Sequence, residues 1–405
     1  MNNTLLEKEA HGIVSTNLSD IYGKDVILNP RASFSNFGFL PRNPLKFDFL
    51  TGRELLIAGD MPVLCSEAVQ SNLIINSFKR MGFNISDNRI VYTNVNEYYN
   101  KLEFFQLKNK KVVFQHVHPD YELDCNNYWI EPKVLSFLNN KEHINNIVPK
   151  EYIPNRQKIS TNYLKDYLLK SNLPIVVKSG MDTPTGGGYG VFICKVKEDI
   201  DKVIKMFKNA TEVIIEEYIS AKNNYCVQFA INKDNQIIYI GSSEQLVDSE
   251  GKHQGNWLHK NNIPQEVIKV GYLIMKKAKE LGYVGIAGFD ILVSDTNNYY
   301  VIDLNFRLNG STSSLILFNK LKHTLTNEGV RLHTFKVEAD INETLRVFEQ
   351  LFERERAIPL SFYDPLKSPY RDAMPYVTCL IPGNRLEETF EFSQFVAEKF
   401  GLTLN

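Results

Sequence analysis

The 405-residue chain has no uninterrupted apolar run approaching the ~20 residues a bilayer-spanning helix requires. Its N-terminus, MNNTLLEKEAHG, lacks a basic stretch leading into an apolar core, so no signal peptide is expected. Cysteine is sparse and scattered: Cys65, Cys125, Cys194, Cys226 and Cys379 are odd in number and form no CxxC pair. That argues against a disulfide framework or a zinc cluster and for a reducing cytoplasm. Neither sign of charge is in excess. Lys plus Arg number 46 and Asp plus Glu 47, a net charge of -1, which gives no electrostatic reason to bind nucleic acid or an anionic membrane. Long charge runs, repeats and low-complexity tracts are also missing.

The chain does hold enough apolar material to fold: 43% hydrophobic residues and 12% aromatics, over a length that predicts about two to four domains. Residues 1–50 read as irregular, with Asn29-Pro30-Arg31 and Pro41 as breakers. A buried strand over Glu54 to Ala58, a helix over Glu67 to Met81 and strands over Arg89 to Tyr92 and Lys111 to His116 predict a small parallel-sheet domain, followed by a linker over 119–135. Further on, strands are predicted at Pro174 to Lys178, Val191 to Val196, Glu212 to Ile219, Tyr225 to Ile231, Gln236 to Gly241, Ile286 to Val293 and Tyr299 to Leu304. Helices are predicted at Val134 to Leu138, Thr161 to Leu169, Glu198 to Asn209 and Pro264 to Leu281. Beyond about residue 330 the pattern is mixed, with a helix over Ile341 to Arg356 and a strand near Tyr376 to Ile381.

Three segments carry chemistry. In Lys178 to Val191, glycines let backbone amides approach phosphate oxygens. A Walker A loop or a dinucleotide fingerprint must lead into a helix, whereas this one leads into the strand Val191-Phe192-Ile193-Cys194. What remains is a glycine flap between antiparallel strands, with Lys178 adding a point charge, or else an ordinary surface hairpin.

The second segment, Gly288 to Arg307, folds as a hairpin with Thr296-Asn297 at its tip, so that Val293 faces Tyr300 and Asp290 faces Asp303. Opposed residues have Cβ atoms about 4.5–5.5 Å apart, and like charges there are destabilising. Asp303 and Asn305 are two apart and share a face. A divalent cation between the carboxylates resolves the repulsion, and magnesium takes this kind of hard oxygen set: Asp290, Asp303 and Asn305. The competing reading is a register shifted by one, with one aspartate at an edge.

Third, Val213 to Ile219 is an apolar strand interrupted by Glu216 and Glu217. Its backbone edge suits adenine, and a solvated acidic edge strand is the alternative.

In this order, Val176 to Lys178, Thr185 to Gly190, Ile214 to Ile219, Gly288 to Val293 and Val301 to Thr312 resemble the nucleotide-binding core of the ATP-grasp superfamily over residues 136–315. Asn309 to Ser313 and the C-terminal tail make the chain most similar to the peptide or amino-acid ligase branch of the pheganomycin type. The resemblance implies an α/β and α+β architecture, the ATP-grasp fold, in which two α+β subdomains clasp ATP. The implied domains are an N-terminal α/β domain (1–135), subdomains at 136–215 and 216–330, and a C-terminal α+β extension (331–405).

Carried onto this chain, the resemblance assigns Lys141 and Lys178 to the phosphates and Gly186, Gly187 and Gly188 to the flap. Glu216, Glu217, Tyr218 and Ile219 fall to adenine, Asp290, Asp303 and Asn305 to Mg2+, and Arg307 to the transferred phosphoryl group. Two departures stand out: Asp303 replaces the glutamate of many relatives, and Asn223-Asn224 stands where many place an acid for the ribose.

The implied activity is ATP-dependent ligation of a carboxylate to an amine through an acyl phosphate, with an amino acid or peptide as substrate. A homodimer is a further expectation of the resemblance; the acceptor is either free or attached to a carrier protein, and nucleic-acid and membrane partners are not expected. The alternatives are an acyl-phosphate-forming kinase without an amine acceptor and a non-catalytic nucleotide-binding module. His253, Gln254, Asn256 and His259 read as a polar loop, at the surface or lining an acceptor site.

Overall fold

The computed structural model describes residues 16–180, 188–247, 253–260, 263–400 and 402–404. Its strands fall into three sheets that follow chain order. The first is parallel and comprises β1 (Ile27–Asn29), β2 (Val63–Ser66), β3 (Arg89–Tyr92) and β4 (Val112–Phe114), in the order β3-β2-β1-β4. Helices Asn72–Arg80 and Val95–Leu107 provide crossovers, the latter capped by the Asn94 side chain, which accepts from the amides of Asn96 and Glu97.

The α/β character expected here is present, but two element assignments are corrected. Glu54 to Ala58 is buried yet not a strand, because short-range bonds such as Leu55 N to Gly52 O and Ile57 N to Glu54 O wind it into consecutive turns. The missing strand is β1, inside the stretch read as irregular; three residues are too few to show an alternation. The helix expected over 67–81 is split, with a short 3-10 turn at Glu67–Val69 and the α-helix starting only after Ser71.

The second sheet is antiparallel: β5 (Arg156–Ser160), β6 (Ile175–Ser179), β7 (Val191–Cys194) and β8 (Glu212–Glu217), ordered β5-β8-β6-β7. Helices Leu164–Lys170 and Ile200–Met206 close a small core around Val177, Val203 and Val213.

The third sheet has nine strands: β9 (Ala221–Ile231), β10 (Ile237–Val247), β11 (His253–His259), β12 (Gly285–Ser294), β13 (Tyr299–Asn305), β14 (Gly329–Val337), β15 (Ile358–Tyr363), β16 (Tyr376–Gly383) and β17 (Leu402–Leu404). The order is β13-β12-β9-β10-β11-β14-β16-β15, with β17 also on β14. Helix Gln265–Glu280 packs on one face through Val267, Val270 and Ile274. Helix Thr312–Leu321 and the N-terminal domain share a core with the other. The tail expected as a separate extension therefore contributes β14 to β17 to this same sheet, and the expected boundary at 330 falls inside β14. His253 to His259, read as a loop, is strand β11.

Two contacts dock the N-terminal domain onto the start of β12. The Tyr22 hydroxyl accepts from the Ile286 amide at 2.9 Å, and Trp129 Nε1 donates to the Val284 carbonyl at 2.6 Å. All five cysteines are free, and among the described residues no helix is long and apolar enough to cross a membrane.

Candidate active site

Strands β12 and β13 bring the two aspartates face to face, Asp290 opposite Asp303. The route differs from the one expected. Val293 pairs with Tyr299, not Tyr300, because residues 294–298 form the connection, with Asn297 in the left-handed conformation at φ 65°. The register then shifts between Ile291 and Asp290, leaving Ile302 as an extra residue. This bulge cancels the offset of the turn and re-aims the end of β13, as bulges beside active sites do. Asn305 lies opposite Gly288 on the same face as Asp303.

The pairing leaves Asp290 electrostatically uncomfortable. Burial, and then repulsion from Asp303, push its carboxyl up to about 7. Its hydrogen-bond donors are neutral: Gln245 Nε2 at 2.5 Å and the Cys226 thiol. Burial pushes Asp303 the same way, but Lys141, Lys178 and Arg307 outweigh it and hold that carboxyl below its ordinary range. Two hard carboxylates and an amide oxygen on one face, with unrelieved repulsion between the acids, are a donor set that fits magnesium.

Cations converge on this face from three elements. Lys141, in the turn after helix Pro132–Asn139, contacts Asp303. Lys178, on β6, donates to the Ile302 carbonyl at 2.7 Å and pairs with Glu216. Arg307 Nη1 donates to Asn139 Oδ1 at 2.9 Å, and the same oxygen accepts from the Phe306 amide, so the end of one helix sets the guanidinium. Burial, then the nearby Arg307 charge, push His116, two residues past β4, well below its ordinary range.

The adenine segment behaves differently from the simplest expectation. β8 is an interior strand between β5 and β6, so it offers no free edge within 212–217. Glu216 is buried and ion-paired with Lys178 and, at 3.4 Å, with Arg156. Glu217 accepts from the Asn155 amide at 2.8 Å. Tyr218 and Ile219 lie just past the strand. The glycine segment does join antiparallel strands, closed by Ser179 N to Gly190 O at 2.9 Å. Gly188 takes φ 83°, which only glycine adopts readily, while Gly186 and Gly187 lie outside the described residues.

Sequence reasoning missed the neutral groups that build the floor of the site. Gln228 Nε2 donates to Ser311 Oγ at 2.8 Å, and Thr312 Oγ1 donates to Gln228 Oε1 at 2.7 Å, fastening the segment after Arg307 onto β9. Gly288 lies so close that a Cβ there would meet the Asn309 side chain at 2.6 Å. Asn256 is buried and donates to Ser243 Oγ at 3.0 Å, as a strand residue rather than a surface loop residue. The available signal was the alternation Ser243, Gln245 in a strand that continues past Gly241.

Residues 154–305 match the family profile described as L-aspartate–L-methionine ligase, ATP grasp, and residues 17–136 match that of the L-aspartate–L-methionine ligase N-terminal domain. A D-alanine–D-alanine ligase of Francisella philomiragia subsp. philomiragia is 24% identical over 151 residues, 35% of this chain and 49% of that protein. The 2-oxoglutarate carboxylase small subunit of Hydrogenobacter thermophilus is 21% identical over 188 residues, 44% of this chain and 37% of that protein. The chain thus spans less than half the length of these relatives. Among solved structures, an N5-carboxyaminoimidazole ribonucleotide synthetase in its ADP complex superposes with a TM-score of 0.60 at 14% identity, over 93% of this chain and 98% of that one. The biotin carboxylase of Campylobacter jejuni gives 0.57 at 13% identity, over 94% and 92%. At these identities the likeness is one of fold.

Proposed function

Because this chain belongs to the ATP-grasp superfamily and carries both domains of its L-aspartate–L-methionine ligase family, we propose that it is an ATP- and magnesium-dependent carboxylate–amine ligase joining two free amino acids. The family description makes aspartate and methionine the first pair to try. The observation that carries the reading is the opposed pair Asp290 and Asp303, with Asn305 on their face and Lys141, Lys178 and Arg307 around them. Five free thiols suit a reducing cytoplasm as its place of action.

Asp290, Asp303 and Asn305 would hold magnesium, which supplies charge cancellation on the phosphates of ATP. Phosphoryl transfer asks the protein for positioning and electrostatics more than for covalent help. Lys141 and Lys178 would bind phosphate oxygens. Arg307, held by Asn139, faces the charge that develops as a substrate carboxylate attacks the γ-phosphate and ADP leaves. The resulting acyl phosphate is then attacked by an amine, which forms the amide and expels phosphate. The glycine segment after Lys178 would exclude water while the acyl phosphate waits.

The test is Asp303→Ala. Amino-acid-dependent ADP release is expected to fall by roughly 10²-fold or more with the circular dichroism spectrum unchanged. Full activity in that variant removes the metal assignment. An amide formed in proportion to phosphate released separates a ligase from a kinase that stops at the acyl phosphate.

A further inference from the structure

A ligase that joins amino acids has to hold at least one carboxylate that does not react. We propose that Arg53 and Lys46, from the N-terminal domain, form the subsite for this unreacting carboxylate of an amino-acid substrate, beside the segment that follows Arg307. The proposal rests on the ligase reading above.

Arg53 lies in the turns that replace the expected strand at 54–58, and its side chain is 12% exposed. Its guanidinium is poorly satisfied for so buried a cation. Nη1 donates to the Gly310 carbonyl at 3.2 Å, Nη2 stands 3.8 Å from Glu54, and Nε is buried with no hydrogen-bond partner. At 3.8 Å Glu54 does not hydrogen-bond it, and burial pushes the Glu54 carboxyl up. Gly310 is three residues beyond Arg307 and is exposed, and a Cβ added there would meet nothing within 4 Å. Arg53 therefore reaches an open rim directly after the residue assigned to phosphoryl transfer.

Lys46 adds the second charge. It sits on helix Pro44–Leu50, and among the described residues no carboxylate pairs with it. Lys46 is exposed as a residue, and the turns Thr51 N to Asp48 O and Arg53 N to Leu50 O carry its helix on to Arg53, seven residues along; partial burial, and then the Arg53 charge, push its pKa down. Two cations with one carboxylate near them, Glu54 at 3.8 Å from Arg53, leave a local excess of positive charge, which an anion relieves. The guanidinium fork suits a carboxylate, and the ammonium adds a flexible point charge.

Two sources offer that chemistry: the second carboxylate of an acidic donor, and the α-carboxylate of the acceptor. Steady-state ADP release by the full chain, with aspartate and methionine varied separately, distinguishes them. In Arg53→Met and Lys46→Met, the KM for one of the two amino acids is expected to rise about tenfold or more, with kcat and the KM for ATP retained. Arg53→Lys should recover part of the loss. The matching amide, asparagine for aspartate or methioninamide for methionine, should show no difference between wild type and variants, which identifies the source. Unchanged KM values for both amino acids, or losses falling on ATP alone, overturn the proposal.

Lys46 is exposed, so its variant serves if Arg53→Met does not fold. If the wild type turns over no amino-acid pair, the ligase reading fails by itself. Calorimetric titration of each amino acid into wild type and Lys46→Met then decides the subsite: weaker binding in the variant supports it, while equal binding or none to the wild type overturns it.

Discussion

Two groups of acids in this chain are satisfied in opposite ways. In the N-terminal domain, Asp48 accepts from Arg31 Nε at 2.7 Å, from the Tyr92 hydroxyl at 2.7 Å and from the Tyr370 hydroxyl at 3.0 Å. Nearby, Glu122 accepts from Ser33, Ser35 and Tyr99 and pairs with His118 Nδ1 at 2.9 Å. On the β12–β13 hairpin, Asp290 instead faces a second carboxylate, has only neutral donors, and is pushed up to about 7. A saturated acid contributes to holding elements together; Tyr370 ties the C-terminal region to the first sheet in this way. An acid left mismatched costs stability, which a fold tolerates where a ligand completes the set. The contrast separates scaffold from site with the same residue type on both sides.

The largest effect should come from breaking the mismatched side. Asp290→Asn keeps the shape and removes the charge, so ligase turnover is expected to fall by roughly 10²–10³-fold. Its melting temperature without magnesium should stay level or rise, since repulsion from Asp303 is gone. Asp48→Ala should do the reverse. It leaves the fully buried Arg31 charge unpaired, for a loss of about 3–5 kcal/mol in denaturant unfolding, with turnover per folded molecule retained. If Asp290→Asn proved as destabilising as Asp48→Ala, the distinction between the two settings would collapse.

How much of this was legible in the sequence follows the same line. The hairpin was, because Asp290, Asp303 and Asn305 interrupt strands that are otherwise apolar, and a period of two is easy to follow over ten residues. Even there the right pairing was reached through a wrong turn, since neither the connection over 294–298 nor the bulge at Ile302 has a residue signature as plain as Asn-Gly. The N-terminal domain was read in outline: its parallel sheet and the strand at Arg89–Tyr92 were found, while β1 and the turns at 54–58 were not. Its strands are three or four residues long, and its acid network joins Arg31, Asp48, Tyr92 and Tyr370 across hundreds of positions, which no local pattern encodes. Glu216 looked like an adenine wall because an acid in an apolar strand is conspicuous; that Lys178 and Arg156 lie beside it is a fact of sheet order. Asn139 and Gln245 carry no charge, and the alternation of Ser243 and Gln245 was the one cue to the latter, although the two hold Arg307 and Asp290.

The smallest effect, and the one that sharpens the saturated side, is a pH dependence. Burial alone would raise the Glu122 carboxyl, but His118 and the Ser35 and Ser33 hydroxyls outweigh it and bring it down from 4.5 to about 2. A carboxyl depressed in the folded state contributes stability that is present above its unfolded pKa and is lost as pH falls through the folded one. Glu122 should therefore stabilise the chain fully above about 4.5 and progressively less between 4.5 and 2. Glu122→Gln retains an oxygen that accepts from Ser33 and Ser35, so only the charged share of the interaction goes, and the loss should be well below that of Asp48→Ala. Its melting temperature should trail the wild type near neutral pH, with the gap closing on acidification through that window. A gap that stayed constant across it would mean that Glu122 is held by shape and neutral hydrogen bonds alone, and that the saturated acids of the scaffold owe nothing to their charge.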